Sequence, residues 1–177
     1  MKRVIYCFLS IVACLVLICG CQPTPPKRAA FFSVPFCTEI AGEIRGIEFS
    51  AKLVREAGEG RISVEYLSPD ALASVTVQTR LDADGSFGER VAVAKEGMVT
   101  ELPLAAAEGL LLPMQILLTC AQTDAATVQK EENGYRFTFS DGTILSLSPS
   151  GIPQSVVSPD LSYQIVWWES RIGDSQP

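Results

Sequence analysis

The stretch Ile47-Glu48-Phe49-Ser50-Ala51-Lys52-Leu53 decides the fold class of this chain. Its apolar residues occupy every second position, and Glu48, Ser50 and Lys52 occupy the positions between them. Successive side chains of a strand point to opposite faces, so this alternation is typical of a sheet with one covered face. The stretch therefore predicts an antiparallel sheet that turns one face to the core and the other to solvent.

The same alternation continues on both sides of this stretch, in segments joined by short turns. The Asn133-Gly134 and Asp141-Gly142 pairs indicate two-residue hairpins of type I′, because such turns require positive φ. Trp167 and Trp168 are adjacent in the last segment, so only one of them can lie in the core. The pattern predicts a mainly β (α+β) fold with one antiparallel, curved, up-and-down sheet of about ten strands.

One helical region interrupts the strands, at residues 103–120. Pro103 suits a first helical turn, and the alanines that follow favour a helix. Gly109 and Pro113 predict a break near Leu111 and Leu112, and hence one or two short helices. Because the region is largely apolar, we expect it to be buried on the sheet or to lie along a groove.

The first 21 residues differ from the rest of the chain. Lys2 and Arg3 precede an uncharged run from Val4 to Gly20, which is typical of a secretory signal. Its end, Leu17-Ile18-Cys19-Gly20-Cys21, resembles the lipobox of bacterial lipoproteins. That resemblance implies cleavage before Cys21 and a diacylglyceryl group on the Cys21 sulfur. A retained membrane anchor is the alternative, since the uncharged run is close to the shortest length that can span a membrane as a helix.

The predicted organisation follows from these segments. We expect a signal peptide at 1–20, a lipidated cysteine with a proline-rich tether at 21–30, one β-rich domain at 31–169 and a frayed tail at 170–177. Removal of the signal would leave 12 basic and 20 acidic residues. This acidic balance disfavours binding to nucleic acid or to an anionic lipid surface. Acyl chains on Cys21 would then anchor the protein to the bacterial cell membrane, outside the cytoplasm, or to an outer membrane where one exists.

The sequence offers little catalytic chemistry. It contains no histidine, which excludes serine triads and cysteine–histidine dyads, and it contains no phosphate-binding or dinucleotide-binding glycine motif. Asp82-Ala83-Asp84-Gly85 is better explained as a turn than as a calcium loop, because the remaining ligands of such a loop are missing. We therefore expect no catalytic residue, no metal and no cofactor.

Two cysteines, Cys37 and Cys120, belong to the predicted domain. An exported protein sits in a compartment that permits disulfides, so these two residues could form a bridge. The alternative is that both are small buried apolar residues.

The strand–helix–strand layout, behind a signal segment and ending on an aromatic last strand, resembles the small LolA/LolB-like lipoproteins. The likeness covers about residues 31–169 and implies an open half-barrel with helices across its concave mouth. It carries over no functional residue. On this interpretation the helical region is a lid over a hydrophobic groove that binds an acyl chain or a lipidated protein. The expected groove-lining residues are Ile47, Phe49, Val64, Tyr66, Val75, Val77, Leu112, Met114 and Ile116.

A second interpretation is a tethered interaction or assembly module with a filled core. The apolar helical region would then seal the sheet. The exposed sheet face or an edge strand would bind another envelope protein.

Overall fold

The computed structural model describes Pro26 and residues 30–58, 60–82 and 85–170. The predicted signal peptide, Cys21, most of the proline-rich tether and residues 171–177 lie outside this part of the chain. The predictions made for them stay predictions.

The described chain contains eleven strands and two helices. They are α1 (Ala30–Ser33), β1 (Phe36–Ile44), β2 (Ile47–Arg55), β3 (Arg61–Ser68), β4 (Thr76–Arg80), β5 (Arg90–Lys95), β6 (Met98–Pro103), α2 (Leu104–Gln122), β7 (Thr127–Glu131), β8 (Gly134–Thr138), β9 (Ile144–Leu147), β10 (Pro153–Val157) and β11 (Leu161–Ser170).

All eleven strands form one antiparallel sheet in the order β6-β5-β4-β3-β2-β1-β11-β10-β9-β8-β7. The first and last strands pair at its centre, where Ile40 faces Ile165 and Gly42 faces Tyr163. The register shifts in the β1–β11, β2–β3 and β9–β10 pairs, and such irregularities bend strands and increase their twist. The predicted fold class, a single curved sheet resembling a half-barrel, is confirmed, with eleven strands instead of about ten.

Helix α2 connects the two edges of this sheet, because it follows edge strand β6 and precedes edge strand β7. Its 19 residues correspond to a length of about 28 Å, which suffices to cross the concave face. The helix packs on β3, β4, β5 and β6. Its first amide, on Leu104, donates to the Glu89 carbonyl at 2.8 Å, which ties the helix start to the sheet.

The helix is continuous, so the predicted break near Leu111 and Leu112 is absent. Pro113 removes one backbone hydrogen bond, at a cost of about 3 kcal/mol inside a helix. That cost is offset by burial of Leu111, Met114 and Leu117, each fully buried and each contributing about 1.5–3 kcal/mol. Packing on the sheet therefore overrides the local signal to break.

Two tyrosine hydroxyls hold the middle of α2 to the sheet. Tyr66 of β3 donates to the Leu110 carbonyl at 3.0 Å. Tyr163 of β11 donates to the Pro113 carbonyl at 3.1 Å. Both tyrosines are almost completely buried. The lid and the sheet are thus joined by directed hydrogen bonds as well as by apolar packing.

Among the described residues, α2 is the one helix long and apolar enough to cross a membrane by length and composition. In the structure it lies across the sheet, with Ala107, Leu111, Met114 and Leu117 in the core.

The turns differ from prediction in one respect. Type I′ geometry, with positive φ at both central residues, occurs at Arg45-Gly46 and Glu96-Gly97. The β7–β8 loop instead consists of residues 132 and 133, because Glu131 pairs with Gly134. Asp141-Gly142 belongs to a three-residue loop in which the Gly142 amide donates to the Phe139 carbonyl. Both predicted hairpins are therefore present, but neither has its glycine pair at the centre of a two-residue type I′ turn.

The ends of the domain are held by aromatic packing. Trp168 stacks on Phe36 with ring centres 4.5 Å apart and meets the edge of Phe31 at 6.0 Å. Trp167 points to the other face, is 38% exposed, and donates from Nε1 to the Glu39 carboxylate at 3.0 Å. The two tryptophans thus lie on opposite faces as predicted, but Trp168 is only partly buried and packs against the core instead of lying within it. Strand β11 includes Ser170, which the sequence assigned to the tail.

Cys37 and Cys120 are both buried and neither is in a disulfide. The structure therefore has the alternative arrangement, in which they fill space as small apolar residues.

Candidate functional site

A groove separates α2, from Glu108 onward, from the loop that joins β8 to β9. We call it the lid groove, and it has a volume of about 310 Å³. On the helix side its wall is a stripe at three- and four-residue spacing, which places the side chains on one helical face. The lining residues are Glu108, Leu112, Gln115, Ile116, Thr119, Cys120, Thr123, Phe139, Ser140, Asp141 and Thr143.

The wall opposite the helix is the loop of residues 139–143, which contains internal hydrogen bonds. The Phe139 amide donates to the Thr143 carbonyl at 2.8 Å. One Asp141 carboxylate oxygen accepts from the Thr143 amide and the other from the Thr143 hydroxyl, each at 2.9 Å. Gly142 supplies the positive φ, +85°, that closes this loop. Because these bonds are internal to the loop, the wall is formed without a ligand.

The inner part of the lid groove is apolar. Phe139 is 5% exposed and Cys120 is 1% exposed, while Leu112 and Ile116 are half-buried. The polar lining residues carry carboxylates, hydroxyls and one amide, and among the described residues that line the groove none is basic. This combination can bury an apolar chain and contact a polar head group.

One polar atom in the groove wall is unsatisfied. The Gln115 side chain donates from Nε2 to the Glu108 carboxylate at 3.4 Å, but its Oε1 is buried and has no hydrogen-bond partner among the described residues. A buried acceptor left unpaired costs about 1–3 kcal/mol. A hydrogen-bond donor of a ligand that reached this atom would remove that cost.

The structure separates the predicted groove residues into three groups. Leu112 and Ile116 line the lid groove. Ile47 is 61% exposed, next to the β1–β2 turn. The remaining six belong to the buried core, namely Phe49, Val64, Tyr66, Val75, Val77 and Met114. The sheet residues expected as the opposing wall thus pack directly, and residues 139–143 form that wall instead.

Two larger depressions lie elsewhere. A trough of about 690 Å³ crosses β2, β1, β11 and β10, where Ser50, Ala41, Gln164 and Ser155 are neighbours in register. Another, of about 580 Å³, crosses β4, β5 and β6 and carries both arginines and carboxylates. Both troughs are open depressions of the sheet surface, with polar side chains and apolar ones such as Phe49 and Val91 in their linings. The lid groove is the better ligand site because it is framed by two structural elements and is more enclosed.

Among the described residues, no group of three or more histidine, cysteine, aspartate or glutamate side chains is placed to hold a metal ion.

Comparison with known proteins yields structural likeness only. No protein-family model and no curated protein matches the sequence. The structure is similar to that of an uncharacterized conserved protein from Thermus thermophilus, with a TM-score of 0.53 and 12% sequence identity over 81% of this chain and 83% of that chain. A LolA superfamily protein from Nitrosomonas europaea aligns with a TM-score of 0.34 and 11% identity over 85% of this chain and 78% of that chain, which is too weak to support an inference. The Thermus likeness concerns the fold alone.

Proposed function

We propose that this protein is a non-catalytic, lipid-anchored envelope protein that binds one apolar chain in the lid groove. The observation that carries the proposal is the preformed apolar interior between α2 and the β8–β9 loop, with Leu112, Ile116, Cys120 and Phe139 around it. The resemblance of the sequence layout to LolA/LolB-like lipoproteins agrees with this function.

The size of the groove supports a single chain. Ligand pockets usually measure about 300–1,000 Å³, so about 310 Å³ lies at the small end. Below the helix the core is filled, because Leu111, Met114 and Leu117 have no exposed surface. Each methylene buried in the groove would contribute about 0.8 kcal/mol. A chain of about six buried methylenes would thus supply roughly 5 kcal/mol before the costs of association.

Filling the groove should weaken binding. We expect Ile116→Trp to weaken binding of an uncharged apolar dye, such as Nile red, by at least about tenfold. The indole would displace methylenes, and the loss of two buried methylenes already corresponds to about that factor. The dye's fluorescence titration measures the effect, and Val128→Trp on exposed β7 is the matched control. Equal dye affinity in both variants and the unaltered protein would refute the groove as the site.

We also propose that Cys21 anchors the protein through a diacylglyceryl group. The Cys21→Ala precursor should keep residues 1–20 and lack lipid, because the modified sulfur would be gone. Cell fractionation and intact-mass measurement check both points, with Cys19→Ala as the control at a neighbouring cysteine. A Cys21→Ala protein of the same mature mass, apart from the substitution, and still membrane-bound would disprove lipid anchoring.

A second candidate function is protein interaction through a sheet edge. Met98 and Val99 of edge strand β6 are 70% and 68% exposed, which is unusual for large apolar side chains on a sheet edge. An exposed edge can pair with an added strand from a partner. A photo-crosslinking residue at position 99 would capture a specific partner in cells on this hypothesis, whereas chain binding in the lid groove requires no such partner.

A further inference from the structure

The polar residues at the rim of the lid groove restrict which head group its ligand can carry. Glu108 and Asp141 contribute carboxylates on opposite walls, and none of the described lining residues is basic. An anionic head held here would face two like charges with no compensating cation. A neutral or positively charged head would face no such repulsion.

The orphaned acceptor points to the same chemistry. Within the described part of the chain, Gln115 Oε1 is buried and unpaired, and the amide that carries it is oriented by its contact with Glu108. An N–H or O–H donor on the ligand would remove the penalty of an unsatisfied buried acceptor. A carboxylate or a fully ionised phosphate has no donor to offer.

From these two observations we propose that the lid groove selects single-chain amphiphiles whose head group is uncharged or cationic and donates hydrogen bonds. Amides, alcohols and amines of one acyl or alkyl chain fit this class, and ionised fatty acids do not. The proposal rests on the function proposed above and adds the identity of the head group. Glu108 and Gln115 determine this specificity, while Leu112, Ile116 and Phe139 hold the chain.

Three probes with the same chain length test the selectivity: dodecylammonium, N-dodecanoylethanolamine and dodecanoate. Each is titrated calorimetrically into the protein below its micelle concentration, at a pH where dodecanoate is ionised and dodecylammonium is protonated. We expect the first two to bind at least about tenfold more tightly than dodecanoate. Two carboxylates and one unpaired acceptor can supply the free-energy difference of about 1.4 kcal/mol that corresponds to this ratio.

Single substitutions test whether Glu108 and Gln115 determine the head-group selectivity. Glu108→Gln should reduce the ratio of the dodecylammonium affinity to the dodecanoate affinity by at least about threefold. Glu132→Gln is the same change in the exposed β7–β8 loop and should leave this ratio unchanged. Gln115→Leu should weaken binding of N-dodecanoylethanolamine by about threefold and leave binding of dodecanoate unchanged.

The outcomes separate the two proposals. Equal binding of all three probes, or tighter binding of dodecanoate, overturns the head-group selectivity and leaves the chain-binding function standing. The head-group selectivity is also overturned if Glu132→Gln reduces the affinity ratio as much as Glu108→Gln does, because the ratio would then depend on the net charge of the protein. If no probe binds while thermal unfolding shows a folded protein, both proposals fail.

Discussion

Replacing Gly42 by alanine should lower the free energy of unfolding by about 3 kcal/mol, at the upper end of the usual cost of overpacking. A Cβ at this position would overlap the Ser162 carbonyl oxygen and lie 2.5 Å from the Tyr163 Cα. Both contacts are with backbone, so no side-chain rotation relieves them. The two central strands, β1 and β11, would have to separate, and Tyr163 would lose its position below the helix.

Gly109→Ala is the matched control, because nothing lies within 4 Å of its added Cβ. Alanine in the middle of a helix is favoured over glycine by about 0.5–1 kcal/mol. Urea unfolding of both variants therefore should give changes of opposite sign. A Gly42→Ala protein whose stability differs from that of the unaltered domain by no more than an ordinary surface substitution, about 0.5 kcal/mol, would contradict the close β1–β11 contact described here.

The domain should lose stability between about pH 10 and pH 12 because its tyrosines are buried. Burial raises the pKa of Tyr66 to about 12. Burial, with a smaller contribution from nearby Cys120, also holds the pKa of Tyr163 well above its usual value. In the unfolded chain tyrosines ionise near pH 10, so above that pH the unfolded state releases protons that the folded state retains. The contribution is fully present below pH 10 and is lost as the pH rises toward the folded-state pKa.

For Tyr66 the loss amounts to roughly 2–3 kcal/mol over that interval, from the difference between a pKa of about 12 and the ordinary 10. Tyr66→Phe should be less stable at pH 7.5 by about 1 kcal/mol, because the hydrogen bond to the Leu110 carbonyl is gone. From pH 10 to 12 its stability should fall less steeply, so that the two curves converge. Denaturant unfolding across this pH range measures both slopes, and parallel curves would show that Tyr66 is not buried as described.

The sheet was predictable because its physical cause is local. The alternation from Ile47 to Leu53 is imposed by one covered face, and the structure buries Phe49, Ala51 and Leu53 while Ile47, at the strand end, remains exposed. The same rule placed Trp167 and Trp168 on opposite faces. Local alternation thus determined the strands and their orientation.

The continuity of α2 was not predictable from its own residues. Pro113 is a strong local signal for a break, and only the tertiary structure shows what outweighs it. The hydroxyls of Tyr66 and Tyr163 come from strands 44 and 50 residues away from the carbonyls that they contact. Helical propensity depends on neighbouring residues, so it does not reflect contacts between residues so far apart in the sequence.

The candidate site was predicted only on its helix side, at Leu112 and Ile116. Its other wall depends on which strand ends opposite the helix, a property of the sheet order that the local pattern does not contain. Asp141 carried a turn signal in the sequence, which indicated a loop but not a binding surface. A groove is a gap between packed elements, so it follows from their relative position and not from any motif.

The most direct test of ligand binding in the lid groove is an NMR titration of the isotopically labelled protein with N-dodecanoylethanolamine below its micelle concentration. Chain binding in the lid groove predicts saturable shifts of backbone amides in residues 112–120 and 139–143, with little change in residues 41–50 and 155–164. Shifts concentrated in the second set would place the site in the trough that crosses β2, β1, β11 and β10. Shifts in neither set would contradict chain binding by this domain.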